Sequence, residues 1–106
     1  MNVSAQLPLD PKTGDIIGSN AKEQANQCLK NIKTIMEDCG HVMNDIVKIT
    51  IFVKNISDID AVEEVYSTFF TNYFPSRTTV GVSALPKDAL VQIEAVASNG
   101  ESTPSE

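Results

Sequence analysis

The sequence predicts an α+β domain of two layers, in which two helices pack on one face of a mixed sheet and the elements follow in the order β-α-β-α-β-β. Three observations predict it. Two segments carry apolar residues at intervals of three and four, as amphipathic helices do. Shorter segments alternate apolar and polar residues, as half-buried strands do. The length of 106 residues is that of one domain, and no internal repeat is visible.

The first predicted element is a short strand, Asn2–Leu7. The sequence that follows it, PLDPKTGD, combines Pro, Asp and Gly, which favour a turn. The acidic residues of this turn do not have the spacing of an EF-hand calcium loop. The segment therefore predicts a strand that ends in a tight turn and holds no calcium.

The first helix is predicted over Ala21–Cys39. Asn20 with Glu23 resembles a capping pair at its start, and Gly40 is suited to end it. Its apolar face consists of Ala21, Ala25, Cys28, Leu29, Ile32, Ile35, Met36 and Cys39. The two cysteines are eleven residues apart on this helix, roughly 16 Å along the axis at 1.5 Å per residue. They cannot form a disulfide with each other, and we expect both to be core side chains.

A second strand and a second helix follow. The strand, Ile46–Lys54, places Val47, Ile49, Ile51 and Val53 on its buried side. The helix begins at Ser57 and turns Ile59, Val62, Val65, Tyr66 and Phe69 inward. The domain is expected to occupy residues 1–98, and the polar residues 99–106, NGESTPSE, are expected to form a disordered tail.

The last two strands lie within Pro75–Ser98 and are predicted to form a hairpin around Leu85–Asp88. The residues expected to share its core face are Val80, Val82, Val91, Ile93 and Ala95. Pairing Val80 with Ile93 and Val82 with Val91 places Thr79 opposite Glu94. Arg77 then points to the same side as Glu94, away from the core.

The sheet face that the helices leave uncovered is expected to be partly apolar. Two helices can cover one face of a four-stranded sheet but not both. Phe52, Leu90 and Val96 are predicted on the other face. A half-apolar open face on so small a domain indicates packing against another copy of the chain.

Composition and charge exclude several classes of function. The chain has 8 Lys and Arg against 14 Asp and Glu, a net charge of −6 with histidine neutral. Nucleic-acid-binding domains usually carry a basic patch, and no basic run occurs here, so nucleic acid is not expected as a main partner. No apolar run approaches the ~18 residues that span a bilayer, and the N-terminus lacks a basic region followed by an apolar one. We expect a cytoplasmic protein with no membrane partner.

No motif for a metal or a nucleotide cofactor is present in the sequence. His41 is the only histidine, and neither cysteines nor a carboxylate cluster accompany it at ligand spacing. Neither G-x-G-x-x-G nor G-x-x-x-x-G-K occurs. We therefore expect a protein that works without a metal or cofactor.

Arg77 and Glu94 are the candidate functional pair. A guanidinium offers a planar fork for a substrate carboxylate. A glutamate in a partly dry crevice can accept a proton from water or orient it. The spacing fits equally well with an interface salt bridge or a solvated charge on an exposed strand. The residues alone leave both interpretations open.

Three segments, VSAQLPLDPKTGD, PSRTTV and LPKDALVQIEAVA, stand in this order around the two helices. Together they resemble the RidA family, the YjgF-type reactive-intermediate deaminases, over nearly the whole chain. The resemblance implies a homotrimer of chorismate-mutase-like subunits with active sites between them. It also implies cofactor-free hydrolysis of 2-imino acids and enamines, such as 2-iminobutanoate and 2-iminopropanoate, to 2-keto acids and ammonia.

The resemblance assigns roles to four residues. Arg77 matches the family arginine that binds the substrate carboxylate, and Glu94 matches the catalytic glutamate that positions water. Ala5 stands in Ser-Ala-Gln where the family has a pocket-lining glycine, and Thr79 stands where many members have a cysteine. The family's preceding Gly-Pro-Tyr-Ser segment is not in the sequence, so Asn2–Leu7 is expected to be an exposed edge strand.

Two classes of function remain open. One is the imine hydrolase, which needs both Arg77 and Glu94. The other is a non-catalytic, regulatory trimer that senses metabolites by binding small carboxylates through Arg77 and has no need of Glu94. RNA cleavage, an activity attributed to relatives, fits the acidic composition least well.

Overall fold

The computed structural model describes residues 2–70 and 73–98, and its elements follow the predicted order. The strands are β1 (Asn2–Gln6), β2 (Ile46–Val53), β3 (Ser76–Gly81) and β4 (Val91–Ala97), and the helices are α1 (Ala21–Asp38) and α2 (Ile59–Thr68). The sheet has the order β1-β4-β2-β3, with β2 and β3 parallel and the other neighbours antiparallel. The predicted α+β fold with a mixed sheet is confirmed. The predicted tail, 99–106, lies outside the described residues.

Both ends of α1 are set by the local signals found in the sequence. The side-chain oxygen of Asn20 accepts a hydrogen bond from the N–H of Glu23 at 2.8 Å. At the other end Gly40 has a φ of +81°, which glycine adopts without strain. The N–H of His41 then donates to the carbonyl of Met36 at 2.8 Å, which ties the chain beyond the glycine to the last turn of the helix. The capping pair and the glycine stop are confirmed.

The core lies between the helices and the sheet. The side chains of α1 that are buried there are Ala21, Gln24, Ala25, Cys28, Leu29, Ile32 and Met36. From the sheet, the fully buried side chains include Ile49, Ile51, Val53, Val91 and Ile93. One edge of the sheet is β1, which pairs with β4 on its inner side, as the expected edge strand does. No helix of the described residues is both long and apolar enough to cross a membrane.

A bulge at the start of β2 breaks the predicted alternation. The register between β2 and β4 shifts between Ile46 and Lys48. As a result Ile46 is buried and Val47 is 40% exposed. An extra residue on one strand turns the following side chain to the other face. The prediction that Val47 lies on the buried side is therefore wrong.

The predicted hairpin between the last two strands does not form. β2 lies between β3 and β4 and pairs with both of them. Thr79 lies opposite Ile51 and not opposite Glu94, and Val80 is 36% exposed, outside the core. The physical reason is that α2 connects β2 to β3 as a crossover, and a crossover through a helix makes its two strands parallel. The chain then reaches β4 through residues 82–90.

The uncovered sheet face carries apolar side chains, but not all of the predicted ones. Phe52 and Val96 are partly exposed there, and Val80, opposite Phe52 on β3, joins them. Leu90 precedes β4 and packs against the core cluster instead. The prediction was wrong for Leu90, because the alternation of β4 does not extend back to it.

The two cysteines differ in burial, so we expect them to differ in reactivity. Burial raises the pKa of Cys28 to about 12, whereas Cys39 is exposed at the end of α1. The prediction that both are core residues is wrong for Cys39. Because only the thiolate reacts, a thiol reagent at neutral pH should modify Cys39 in the native protein and reach Cys28 only in denaturant. Reaction of a Cys39→Ser variant at the native rate would contradict this expectation.

Candidate functional site

Glu94 lies on the uncovered face of the sheet. Its side chain is exposed, whereas its neighbours Ile93 and Ala95 are buried. It lies opposite Thr50 of β2, and Thr50 lies opposite Thr78 of β3, so a polar row crosses the partly apolar face. Within the described part of the chain, the side chain of Glu94 has neither a hydrogen bond nor an ion pair. The prediction that this glutamate stays out of the core is confirmed.

A bulge in β1 places Ala5 against Glu94. The register between β1 and β4 shifts between Val3 and Gln6. Two residues of β1, Ser4 and Ala5, therefore face the single residue Glu94 of β4. Bulges re-aim side chains and recur at sheet edges and beside active sites. The backbone of Ser4 and Ala5 thus borders the free carboxylate, which no alternation in the sequence reveals.

Arg77 lies on the opposite side of the sheet from Glu94. It pairs with Ile49, whose side chain is fully buried beneath the helices, and residues opposite each other share a face. Ile49 and Thr50 are neighbours on β2 and point to opposite faces. Since Thr50 pairs with Glu94, Arg77 and Glu94 point to opposite faces too. The prediction that they share a face is wrong, because it rested on the hairpin that does not form.

The guanidinium of Arg77 lies between a carboxylate and an aromatic ring of α2. Its Nη2 lies 3.3 Å from Oε2 of Glu63, and its central carbon lies 5.3 Å from the centre of the Tyr66 ring. The hydroxyl of Tyr66 donates to the carbonyl of Pro75 at 3.2 Å, and burial raises the pKa of this phenol. A cation stacked on an aromatic ring keeps its in-plane N–H groups for an anion.

The same residues line an open depression of about 410 Å³. Its lining consists of Glu63, Tyr66, Ser67, Phe74, Pro75 and Arg77. This volume falls within the range of about 300–1,000 Å³ that small-molecule sites occupy. The depression therefore combines one cation, one carboxylate and an aromatic wall.

Thr79 follows Arg77 on the same face of β3, opposite Ile51. Its Oγ1 is buried and has no hydrogen-bond partner among residues 2–70 and 73–98. Buried hydroxyls usually have a partner, because leaving one unpaired costs about 1–3 kcal/mol. Thr79 therefore lies on the same side of the sheet as Arg77, with a buried hydroxyl that no described residue satisfies.

Sequence reasoning missed Glu63 as a contact of Arg77 and treated Tyr66 only as a core residue. Both lie on α2 three residues apart, so they share one side of the helix. The sequence shows that spacing, but it does not show the parallel pairing of β2 and β3 that brings Arg77 close to both residues. No group of three or more His, Cys, Asp or Glu side chains that could hold a metal is gathered in the described part of the chain.

Comparison with known proteins gives consistent matches in sequence and in fold. Residues 1–99 match the family described as Endoribonuclease L-PSP. A 2-iminobutanoate/2-iminopropanoate deaminase from Salmonella typhimurium is 45% identical over 97 residues, which cover 89% of this chain and 75% of that protein. The crystal structure of the YjgF gene product of E. coli matches with a TM-score of 0.86 at 42% identity, over 92% of this chain and 79% of that one. E. coli TdcF with bound serine matches with a TM-score of 0.87 at 37% identity, over the same shares.

Proposed function

Because this chain belongs to the RidA/YjgF family, the family described as Endoribonuclease L-PSP, we propose that it hydrolyses 2-imino acids and their enamines to 2-keto acids and ammonia. The observation that carries the proposal is its 45% identity to a deaminase of 2-iminobutanoate and 2-iminopropanoate. The two candidate residues, Arg77 and Glu94, supply the chemistry that such a reaction needs.

The reaction needs one cation that binds the substrate and one group that acts on water. A 2-imino acid carries a carboxylate and an electrophilic C2. In the proposed site Arg77 binds the carboxylate through two N–H groups, and Glu94 accepts a proton from the attacking water. The water oxygen bonds to C2, the nitrogen takes up protons, and the C–N bond breaks to release ammonia and the keto acid. The backbone at Ala5 and the hydroxyl of Thr79 border the substrate.

We place this site between copies of the chain. Arg77 and Glu94 point to opposite faces of one sheet, so one subunit cannot present both to one substrate. A second copy supplies the missing partner when its Glu94 face packs against the Arg77 side of the first. The apolar side chains of the open face, Phe52, Val80 and Val96, support such a contact. The assembly that we propose is the homotrimer that the resemblance to the family implies.

A second candidate function is non-catalytic binding of small carboxylates. It is favoured by the Arg77 depression, which one subunit completes by itself. The E. coli TdcF structure with bound serine shows that a relative of the same fold holds an amino acid. This function needs Arg77 and leaves Glu94 without a role. RNA cleavage is the least suited, since the net charge is −6.

Ammonia release from freshly generated 2-iminobutanoate tests the proposal. We expect the wild-type protein to exceed the spontaneous rate. Arg77→Ala should raise KM, because alanine offers no donor to the carboxylate, and Arg77→Lys should recover only part, because an ammonium lacks the planar fork. Lys30→Ala, which removes an exposed cation of α1, serves as the control and should behave as wild type. If the wild type releases no ammonia above background and yet binds a 2-keto acid at Arg77, the binding function replaces the enzyme.

A further inference from the structure

We infer that Glu63 competes with the substrate for Arg77, so that a ligand carboxylate binds by displacing a carboxylate of the protein itself. The inference rests on the proposed function in one respect, that Arg77 receives the carboxylate of the ligand. It adds a residue on α2 that sets how tightly the ligand is held.

The contact between Arg77 and Glu63 is loose. A single nitrogen and a single oxygen approach to 3.3 Å, beyond the about 2.7–2.9 Å of a charge-assisted hydrogen bond. The two side chains are 36% and 35% exposed, so solvent screens their attraction. Arg77 therefore does not use its planar fork on Glu63.

A ligand carboxylate is better suited to this guanidinium than Glu63 is. A free carboxylate can align both oxygens with two N–H groups, whereas Glu63 is tethered to α2 and reaches with one oxygen. The Tyr66 ring stays beneath the guanidinium during the exchange, because the hydroxyl of Tyr66 is fixed to Pro75. The open depression beside Arg77 admits the incoming group and gives Glu63 space to turn away.

The exchange lowers the apparent affinity for the ligand. An exposed or half-exposed ion pair is worth little, so its loss on ligand binding corresponds to an affinity lowered by about two- to fivefold. The opposite role, in which Glu63 orients Arg77 for the ligand, predicts the opposite sign. Removing an orienting partner weakens binding, and removing a competitor strengthens it.

Calorimetric titration with 2-ketobutanoate separates these roles. We expect Glu63→Gln to bind the keto acid about two- to fivefold more tightly than wild type, because glutamine keeps the size of the side chain and removes the competing charge. Glu64→Gln is the matched control: it removes the same charge one residue along α2, where Glu64 pairs with Lys22 at 2.7 Å. Its affinity should equal that of wild type. In hydrolysis of 2-iminobutanoate, Glu63→Gln should lower KM by the same factor and leave kcat unchanged.

Equal or weaker binding of the keto acid by Glu63→Gln would overturn the inference, as would a failure of this variant to bind it at all. The outcome is distinguishable from the fate of the enzyme proposal. If no variant hydrolyses the imine but Glu63→Gln still binds the keto acid more tightly than wild type, the hydrolase proposal is wrong and the inference of competition holds. If hydrolysis proceeds and Glu63→Gln leaves KM unchanged, the competition alone fails.

Discussion

Replacing Glu94 by glutamine is expected to lower kcat for 2-iminobutanoate by roughly 10²–10⁴-fold, the usual contribution of a general base. Glutamine keeps the shape of the side chain and its hydrogen bonds but cannot accept the proton from water. A 2-keto acid should bind to this variant as it does to wild type, because Arg77 is intact. Initial rates of ammonia release and the calorimetric Kd of the keto acid measure the two effects separately.

The fold should tolerate this substitution. The side chain of Glu94 is exposed and has no ion pair or hydrogen bond with the described residues, so thermal unfolding should remain close to that of wild type. Asp88→Asn is the control for the loss of a surface carboxylate. Asp88 lies in the turn before β4, is exposed and pairs with Lys54, so this variant should hydrolyse the imine as wild type does. Equal rates for wild type and Glu94→Gln would end the hydrolase proposal.

At a substrate concentration well below KM, co-expressing Arg77→Ala and Glu94→Gln subunits is expected to restore about one quarter of wild-type activity, although each variant alone is nearly inactive there. In the proposed assembly each site takes Arg77 from one subunit and Glu94 from the next. A site is intact where the first subunit is the Glu94→Gln variant and the second is the Arg77→Ala variant. With random mixing of equal amounts, each of these two conditions is met with a probability of one half, so one quarter of all sites are intact.

The assembly itself provides the control for this experiment. Light scattering after gel filtration should give about three chain masses for wild type, for each variant and for the mixture. The two variants purified separately and combined under conditions without subunit exchange should remain inactive. Mixed trimers with no gain over the parents would show that the site does not join Arg77 and Glu94 of different subunits.

The parts of the fold that local signals determine were predicted well from the sequence. The bounds of α1 were predicted to within one residue at its end, because the cap at Asn20 and the glycine stop at Gly40 act within one turn of the chain. The pairing of β3 was not predicted, because the choice between β2 and β4 depends on where α2 carries the chain. The bulge at Ile46 was equally hidden, because it depends on the pairing with β4, and the alternation of apolar and polar residues runs on through Val47 without a break.

In the candidate site, too, the features that depend on local sequence were predicted and those that depend on strand pairing were not. Arg77 and Glu94 are candidates drawn from the sequence, through spacing and then through resemblance, and the exposure of Glu94 followed from the apolar residues on either side of it. Their placement on opposite faces could not be found, because it depends on which neighbours on β2, Ile49 or Thr50, each residue pairs with. The contact with Glu63 depends on the packing of α2 over β3, which lies beyond any local pattern.

The placement of Arg77 and Glu94 on opposite faces has a genetic consequence. In the proposed assembly each subunit serves two sites at once, giving its arginine to one and its glutamate to the other. In a cell that makes equal amounts of wild-type and Arg77→Ala chains, about half of all sites stay intact, as gene dosage alone would give. A chain that lacks both residues inactivates both sites to which it contributes. When it is made in equal amount with wild type, about one quarter of all sites stay intact. Such an allele is partially dominant, although the protein it encodes has lost all of its own activity.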